Sequence, residues 1–371
     1  MTSALFQPIS LRELHLPNRI MVSPMCQYSA IDGNACDWHL IHLGQLALGG
    51  AGLLCVEATA VEAIGRITPD CLGLYSDDNE SALRRVLEAV RRHSDVPLAI
   101  QLAHAGRKAS SHTPWDGGKL LGPEAGGWES IAPSALAFSP AEAPPREMQA
   151  ADLERVREAF VQTARRAARL GFDAIELHSA HGYLLHEFLS PLSNRRNDRY
   201  GGSLENRMRF PLEVFSAVRK IWPEAKPLGV RLSASDWIEG GWDLPQAIEF
   251  SQQLKKLGCD WIDASSGGLA PEQKIALGPD YQVPFAEAIR KEADIPTIAV
   301  GLITEPRQAE DIIAGGKADL VALARGMLFD PHWAWRAAAE LGAQVRAPKQ
   351  YWRATPRGAK ALFGETKIGS R

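Results

Sequence analysis

A (β/α)8 barrel is the fold this sequence predicts, and three observations carry that reading. Eight short β-rich runs recur along the chain, longer stretches with helical patterning lie between them, and polar or small residues terminate nearly every run. A doubly wound sheet would normally show a GxGxxG turn early in the chain, and none appears. The 371 residues, 45% hydrophobic and 23% charged, describe a soluble globular protein. A barrel of this class uses such a length as one domain, 1–371, with a tail over 342–371.

The runs, in order, are RIMVSPM (19–25), GLLCVEA (52–58), PLAIQL (97–102) and FDAIELH (172–178), then PLGVRLS (227–233), DWIDASS (260–266), PTIAVG (296–301) and DLVALAR (319–325). Between them, ADLERVREAFVQTARRAARLG, LPQAIEFSQQLKKLG and EPRQAEDIIAGG carry apolar residues at helical spacing, and each ends at glycine, a common helix stop. Residues 104–150, rich in Gly, Pro, Ser and Trp, make a connection after the third strand too long for barrel economy, so a lid or decorated loop is expected. The basic tail either caps its own barrel or reaches a neighbour.

Composition narrows the function classes. A formal charge of −3 makes no electrostatic case for nucleic acid or a membrane surface. No stretch approaches the roughly 20 apolar residues that span a bilayer. The opening MTSALFQPISLREL lacks the regions of a signal peptide, and five scattered cysteines with no CxxC favour reduced thiols. A cytoplasmic protein is expected.

Barrel enzymes build their sites at the C-terminal ends of the strands. Those ends read Ser23 to Cys26, Glu57 and Ala58, Gln101, His178, Arg231, Ser265 and Ser266, Gly301, then Arg325. Period-two alternation turns Ile175 and Leu177 toward the helices and Ala174, Glu176 and His178 toward the axis, and likewise places Gln101 and Arg231 inside. Buried charge is costly without a partner, so an inward Arg231 implies an anionic or strongly polarised ligand, or a structural carboxylate such as Glu176. Gly301 and Arg325 mark the usual phosphate corner, one allowing close backbone approach and the other supplying a bidentate cation.

The stretch IELHSAHGYLLHEF (175–188) admits a metal, a proton shuttle or a grip on substrate. His178, His181, His186 and Glu187 would be the metal ligands, yet no cysteine pair or carboxylate cluster at the other strand ends completes a shell. Two imidazole donors beside Tyr183 favour a carbonyl clamp, with the phenol as proton donor.

With these motifs in place, the sequence resembles the old yellow enzyme family of flavin-dependent ene-reductases, in its shorter bacterial branch that includes xenobiotic reductase-like enzymes. The resemblance runs nearly the whole chain, through SPMCQYSA, VEATAV, GRITP, IQLAHAGRKA, the long segment from IELHSAHGYLLHEF to NRMRF, RLSASDW, SSGGL, AVGLIT and LARGML. It implies non-covalently bound FMN at the barrel mouth, NADPH or NADH as co-substrate, and ping-pong reduction of the C=C bond of α,β-unsaturated carbonyl compounds by hydride transfer through flavin N5. By the same resemblance Ser23, Pro24, Met25 and Cys26 line the flavin, Ala58 and Gln101 contact its ring, Arg231 faces its N1/O2 edge, and Gly301, Ala324 and Arg325 receive the phosphate. His178 and His181 grip the substrate carbonyl, Tyr183 donates the proton, Tyr28 is a second substrate contact, and Cys26 tunes the flavin. Ala324 stands where many relatives have glycine. QYWR, within the tail, resembles the segment that places an arginine in a neighbouring subunit's site, so Arg353, with Tyr351 or Trp352 as an aromatic wall, implies a homodimer or homotetramer. A metal-dependent barrel hydrolase and a flavin-binding sensor without turnover are the rival readings.

Overall fold

The computed structural model describes residues 3–364; the last residues of the expected tail, 365–371, lie outside the described residues. Eight parallel strands close into a barrel: β1 (Ile20–Val22), β2 (Leu53–Ala60), β3 (Leu98–Ala103), β4 (Ala174–Ser179), β5 (Leu228–Ser233), β6 (Ile262–Ser265), β7 (Thr297–Ala299) and β8 (Leu320–Leu323). Each coincides with one run read from the sequence. The second continues beyond its expected end at Ala58, because a register shift between Val56 and Thr59 carries it on to Ala60.

Helices wrap the barrel: α1 (Asp37–Ala47), α2 (Asp77–Arg91), α3 (Ala150–Arg169), α4 (Leu204–Ile221), α5 (Leu244–Lys256), α6 (Val283–Ala293), α7 (Pro306–Ala314) and α8 (Trp333–Leu341). Ser76, Ser203 and Asp243 start α2, α4 and α5 by accepting a backbone N–H of the first turn. The glycines that end the three predicted helices, Gly171, Gly258 and Gly316, all have positive φ.

Alternation sorts the strand residues into two cores. Ile175 and Leu177 pack outward against the helices, and Met21, Leu53, Cys55, Ala99, Ala174, Trp261, Ile298 and Leu320 fill the barrel interior. An N-terminal hairpin, Ile9–Leu11 with Leu14–Leu16, adds Leu11 and Leu16 to this inner core and closes the barrel floor. The interior is layered tightly enough that a Cβ on Gly229 would lie 1.9 Å from the Trp261 ring.

The excursion between β3 and α3 holds three short 3-10 turns and a two-stranded pairing of Ile131–Ala132 with Arg146–Glu147. Short helices follow β4 (Leu184–Leu189) and β8 (Arg325–Phe329). The tail turns back on its own barrel: Val345 N–H donates to Leu362 O, and Trp335 of α8 meets the rings of Tyr351 and Phe363. No helix among the described residues is long and apolar enough to cross a membrane.

Candidate active site

At the end of β4 the sequence brings three rings together. His178 and His181 lie 5.1 Å apart by ring centroid and His178 and Tyr183 4.8 Å, both edge to face. The His178 Nδ1 accepts the Ala180 N–H at 3.2 Å, so the neutral ring carries its proton on Nε2 and can donate from there. His181 is held in a left-handed conformation at φ 58°. Its N–H donates to Ser233 Oγ at 3.0 Å and its Nε2 meets Ser265 Oγ at 2.7 Å. Burial, with the nearby Arg231 charge, holds both imidazoles well below the ordinary range, so both are neutral, and His181 can donate from Nδ1 when its Nε2 accepts the Ser265 O–H. Burial likewise pushes the Tyr183 phenol well up, so it keeps its proton to give.

Beneath these rings lies a buried polar layer. Gln101 Nε2 donates to Glu176 Oε1 at 2.8 Å and Trp261 Nε1 to Glu176 Oε2 at 3.2 Å. Burial and the adjacent Asp263 raise the Glu176 carboxyl to about 7. Arg231 does not pair with Glu176, the structural carboxylate named as the alternative to a ligand. Its Nε lies 3.3 Å from Asp263 Oδ2, because Asp263 is the register neighbour of Arg231 on β6. The contact is poorly aligned, and the Arg231 Nε and both Asp263 oxygens are left without a hydrogen bond.

Just past β1, Ser23 Oγ is buried without a partner, and the half-buried Pro24 and Met25 follow it. Burial pushes the Cys26 thiol well up, which fits a neutral S–H rather than a nucleophilic thiolate. Tyr28, at φ 49°, meets Trp115 of the excursion at 5.5 Å, edge to face. Glu57, a strand-end carboxylate, accepts the Gln27 N–H at 3.0 Å and pairs with His39 Nε2 at 3.4 Å, so it anchors the Tyr28 loop from behind. Ala58 is buried in the irregular part of β2.

At the β7–β8 corner Gly301 has φ 113°, a conformation that favours glycine, and a Cβ there would lie 2.9 Å from Gln282 Nε2. Ala324 has φ −102°, so it does not sit in the left-handed region that favours glycine. Arg325 is exposed and has no carboxylate partner among the described residues.

Other sequence candidates fall elsewhere. His186 is buried, accepting the Gly182 N–H on Nδ1 at 2.9 Å with Nε2 2.9 Å from Asp236 Oδ1. Burial alone would raise Asp236, yet His186 and Ser190 hold it below the usual range. Glu187 is buried too, accepts the Arg107 N–H at 2.9 Å, and is raised to about 8 by burial. Among the described residues no three His, Cys, Asp or Glu side chains gather as a metal-ligand set. Trp352 lines a cavity of about 920 Å³ with Asn18, Ala51 and Pro97, which precede β1, β2 and β3, at the end of the barrel opposite its own mouth. Arg353, beside it, is exposed. The sequence reading missed Asp263, Trp261 and Lys108. Period-two alternation within DWIDASS could have turned Asp263 inward, but Lys108 lies in irregular chain and gave no such signal.

Comparison with known proteins follows this geometry. Residues 4–344 match the model of the NADH:flavin oxidoreductase / NADH oxidase family. The chain is 49% identical over 355 residues to an NADPH dehydrogenase of Geobacillus sp. (strain WCH70), covering 95% of this chain and 99% of that one. It is 45% identical to an NADPH dehydrogenase of Bacillus subtilis (strain 168), with the same coverage. Among solved structures it resembles morphinone reductase, with a TM-score of 0.76 at 27% identity over 99% of this chain and 95% of that chain. It also resembles a 2-naphthoyl-CoA reductase complex, with a TM-score of 0.79 at 26% identity, covering 89% of this chain but about half, 51%, of that longer one.

Proposed function

The chain belongs to the NADH:flavin oxidoreductase / NADH oxidase family, and from that premise we propose that it is an FMN-dependent ene-reductase of the old yellow enzyme type. It draws on NADPH or NADH and reduces the C=C bond of α,β-unsaturated carbonyl compounds. The observation that carries the reading is the edge-to-face cluster of His178, His181 and Tyr183 at the barrel mouth, with inward Arg231 beside it.

The residues present fit FMN. Ser23 Oγ and Arg231 Nε are buried polar atoms without hydrogen-bond partners, Gly301 makes a positive-φ turn after β7, and Arg325 has a free guanidinium among the described residues. Arg231 would face the ring's polar edge beside Gln101 and Ala58, with Pro24, Met25 and Cys26 along it, and Gly301, Ala324 and Arg325 would hold the phosphate. FMN, when bound, relays hydride from the nicotinamide to the β-carbon of the enone.

The protein's share is to hold and to protonate. His178 and His181, both neutral, donate to the substrate carbonyl oxygen, and those bonds strengthen as negative charge gathers there. Tyr183 gives its proton to the α-carbon. Tyr28 would wall the pocket on the other side, and the Cys26 S–H would tune the flavin. Arg353 and Trp352 would serve the site of a second copy in a homodimer or homotetramer, which the exposure of Arg353 supports.

The test has two arms. Purified protein should release FMN, and no FAD, on denaturation, and should couple NADPH or NADH oxidation to cyclohexenone. Tyr183→Phe should slow reoxidation by cyclohexenone about 100-fold or more while sparing a quinone, whose oxygen takes its proton from solvent. Flavin-free protein, or equal losses with both acceptors, would overturn the respective part.

A further inference from the structure

We propose that Lys108 is a positioning residue for His181, fastening the β4 loop to the β6 loop so that the second imidazole of the clamp keeps its place; this rests on the ene-reductase reading above. Lys108 follows β3, in a short 3-10 turn of Gly106–Lys108. Its Nζ donates to His181 O at 2.8 Å and to Gly268 O at 3.0 Å, so one ammonium joins three strand-end loops.

The junction is unusually close. A Cβ on Gly182 would lie 2.3 Å from Gly268 O, and one on Gly268 would lie 2.6 Å from His181 Cα. The two loops thus touch backbone to backbone, and two carbonyl oxygens converge on a single point. Converging carbonyl dipoles repel unless a cation sits between them, and Lys108 is that cation. His181 itself has φ 58°, a conformation that a non-glycine residue keeps only when its surroundings insist on it.

Neighbouring contacts agree. The Lys108 Nζ lies 5.2 Å from the Tyr183 ring centroid and 4.8 Å from that of Phe138, two aromatic faces that favour an ammonium. Arg107 reaches the same β6 loop, donating from NH2 to Leu269 O at 2.7 Å. The hydrogen bonds of Lys108 go to backbone carbonyls, so it acts on the clamp through His181.

Lys108→Met keeps an unbranched side chain, one atom shorter, and removes its charge and donors. In the holoenzyme we expect flavin content and reoxidation by oxygen to stay at the wild-type level. Reoxidation of the dithionite-reduced enzyme by cyclohexenone should slow on the order of 10- to 100-fold, as a small misplacement of a binding group does. Affinity for p-chlorophenol, an oxyanion probe read in the flavin spectrum, should fall in parallel, and Lys108→Arg should restore part of both. Wild-type cyclohexenone and phenol behaviour in Lys108→Met would overturn the inference. So would equal slowing with cyclohexenone and oxygen, the mark of a general structural role. If Lys108→Met does not fold, Lys108→Gln is judged by the same traces. The double variant His178→Ala, His181→Ala run alongside separates the two failures. If it reoxidises normally the clamp itself falls; if it is slow while Lys108→Met is fast, only the role of Lys108 falls.

Discussion

Along β4 and the loop that follows it the polar side chains at the mouth already have protein partners, whereas at the β7–β8 corner Arg325 has none among the described residues. His178, His181 and Glu176 are each tied down by neighbours, the first two by Ala180, Ser233 and Ser265 and the third by Gln101 and Trp261. Gly301 and Arg325 offer instead a glycine turn and an exposed cation. The first region is organised before anything binds, so its geometry governs chemistry; the second is completed by what binds, so its geometry governs affinity. Damage to the two should therefore appear in different measurements.

The largest effect falls on the pre-built side. His178→Ala with His181→Ala should cut enone turnover by at least roughly 10²- to 10³-fold, the loss typical of one oxyanion donor, while flavin content is unchanged. A double variant that turns over cyclohexenone normally would break the contrast at once. Next comes the open corner, where Arg325→Met should weaken FMN affinity about 10- to 100-fold, the worth of a charge-assisted hydrogen bond, and leave kcat of the reloaded enzyme unaltered. Fluorescence titration of the apoprotein reads the first quantity and steady-state rates the second.

Arg353→Ala sharpens the comparison by asking whether another copy completes the mouth. The apparent KM for enones should rise about tenfold, as for one lost charged contact, with FMN retained. In verified mixed dimers with the histidine double variant, activity should partly recover when the Arg353→Ala subunit supplies the intact histidines. A strictly monomeric enzyme by light scattering would remove that role. The smallest effect concerns Glu187, behind the organised wall. Its carboxyl is raised to about 8 by burial, against about 4.3 in an unfolded chain, so the folded state binds the extra proton. Stability from this group is present at low pH and is lost as pH rises from roughly 4.3 through about 8. Glu187→Gln should thus raise Tm at pH 8 by roughly 2–4 °C and narrow the gap between pH 5.5 and pH 8. Parallel melting curves at the two pH values would contradict it.

How much of this was legible follows the same division. The eight strands showed in the sequence because apolar runs ending in a polar residue are a local pattern, and His178, Gln101 and Arg231 came with them through simple alternation. The bulge that lengthens β2 is invisible to a period-two reading, since it breaks the period at Val56 to Thr59. Naming Glu176, and not Asp263, as the structural alternative to a ligand for Arg231 missed the observed neighbour for a related reason. Alternation gives the face of a residue, but which inward residues meet across strands depends on the stagger of the closed barrel. Lys108 escaped because its targets are backbone carbonyls of two distant loops, which leave no trace in side-chain chemistry.

Gly229 and Trp261 lead somewhere different. The indole occupies the space that any side chain at 229 would need, and its N–H also serves Glu176. The two positions are therefore best engineered as a unit. A mutant library that randomised Gly229 alone would return almost only glycine, and one that randomised Trp261 alone would open a void under the polar layer. Varying both together, large for small, is the way to reshape the barrel floor without emptying it.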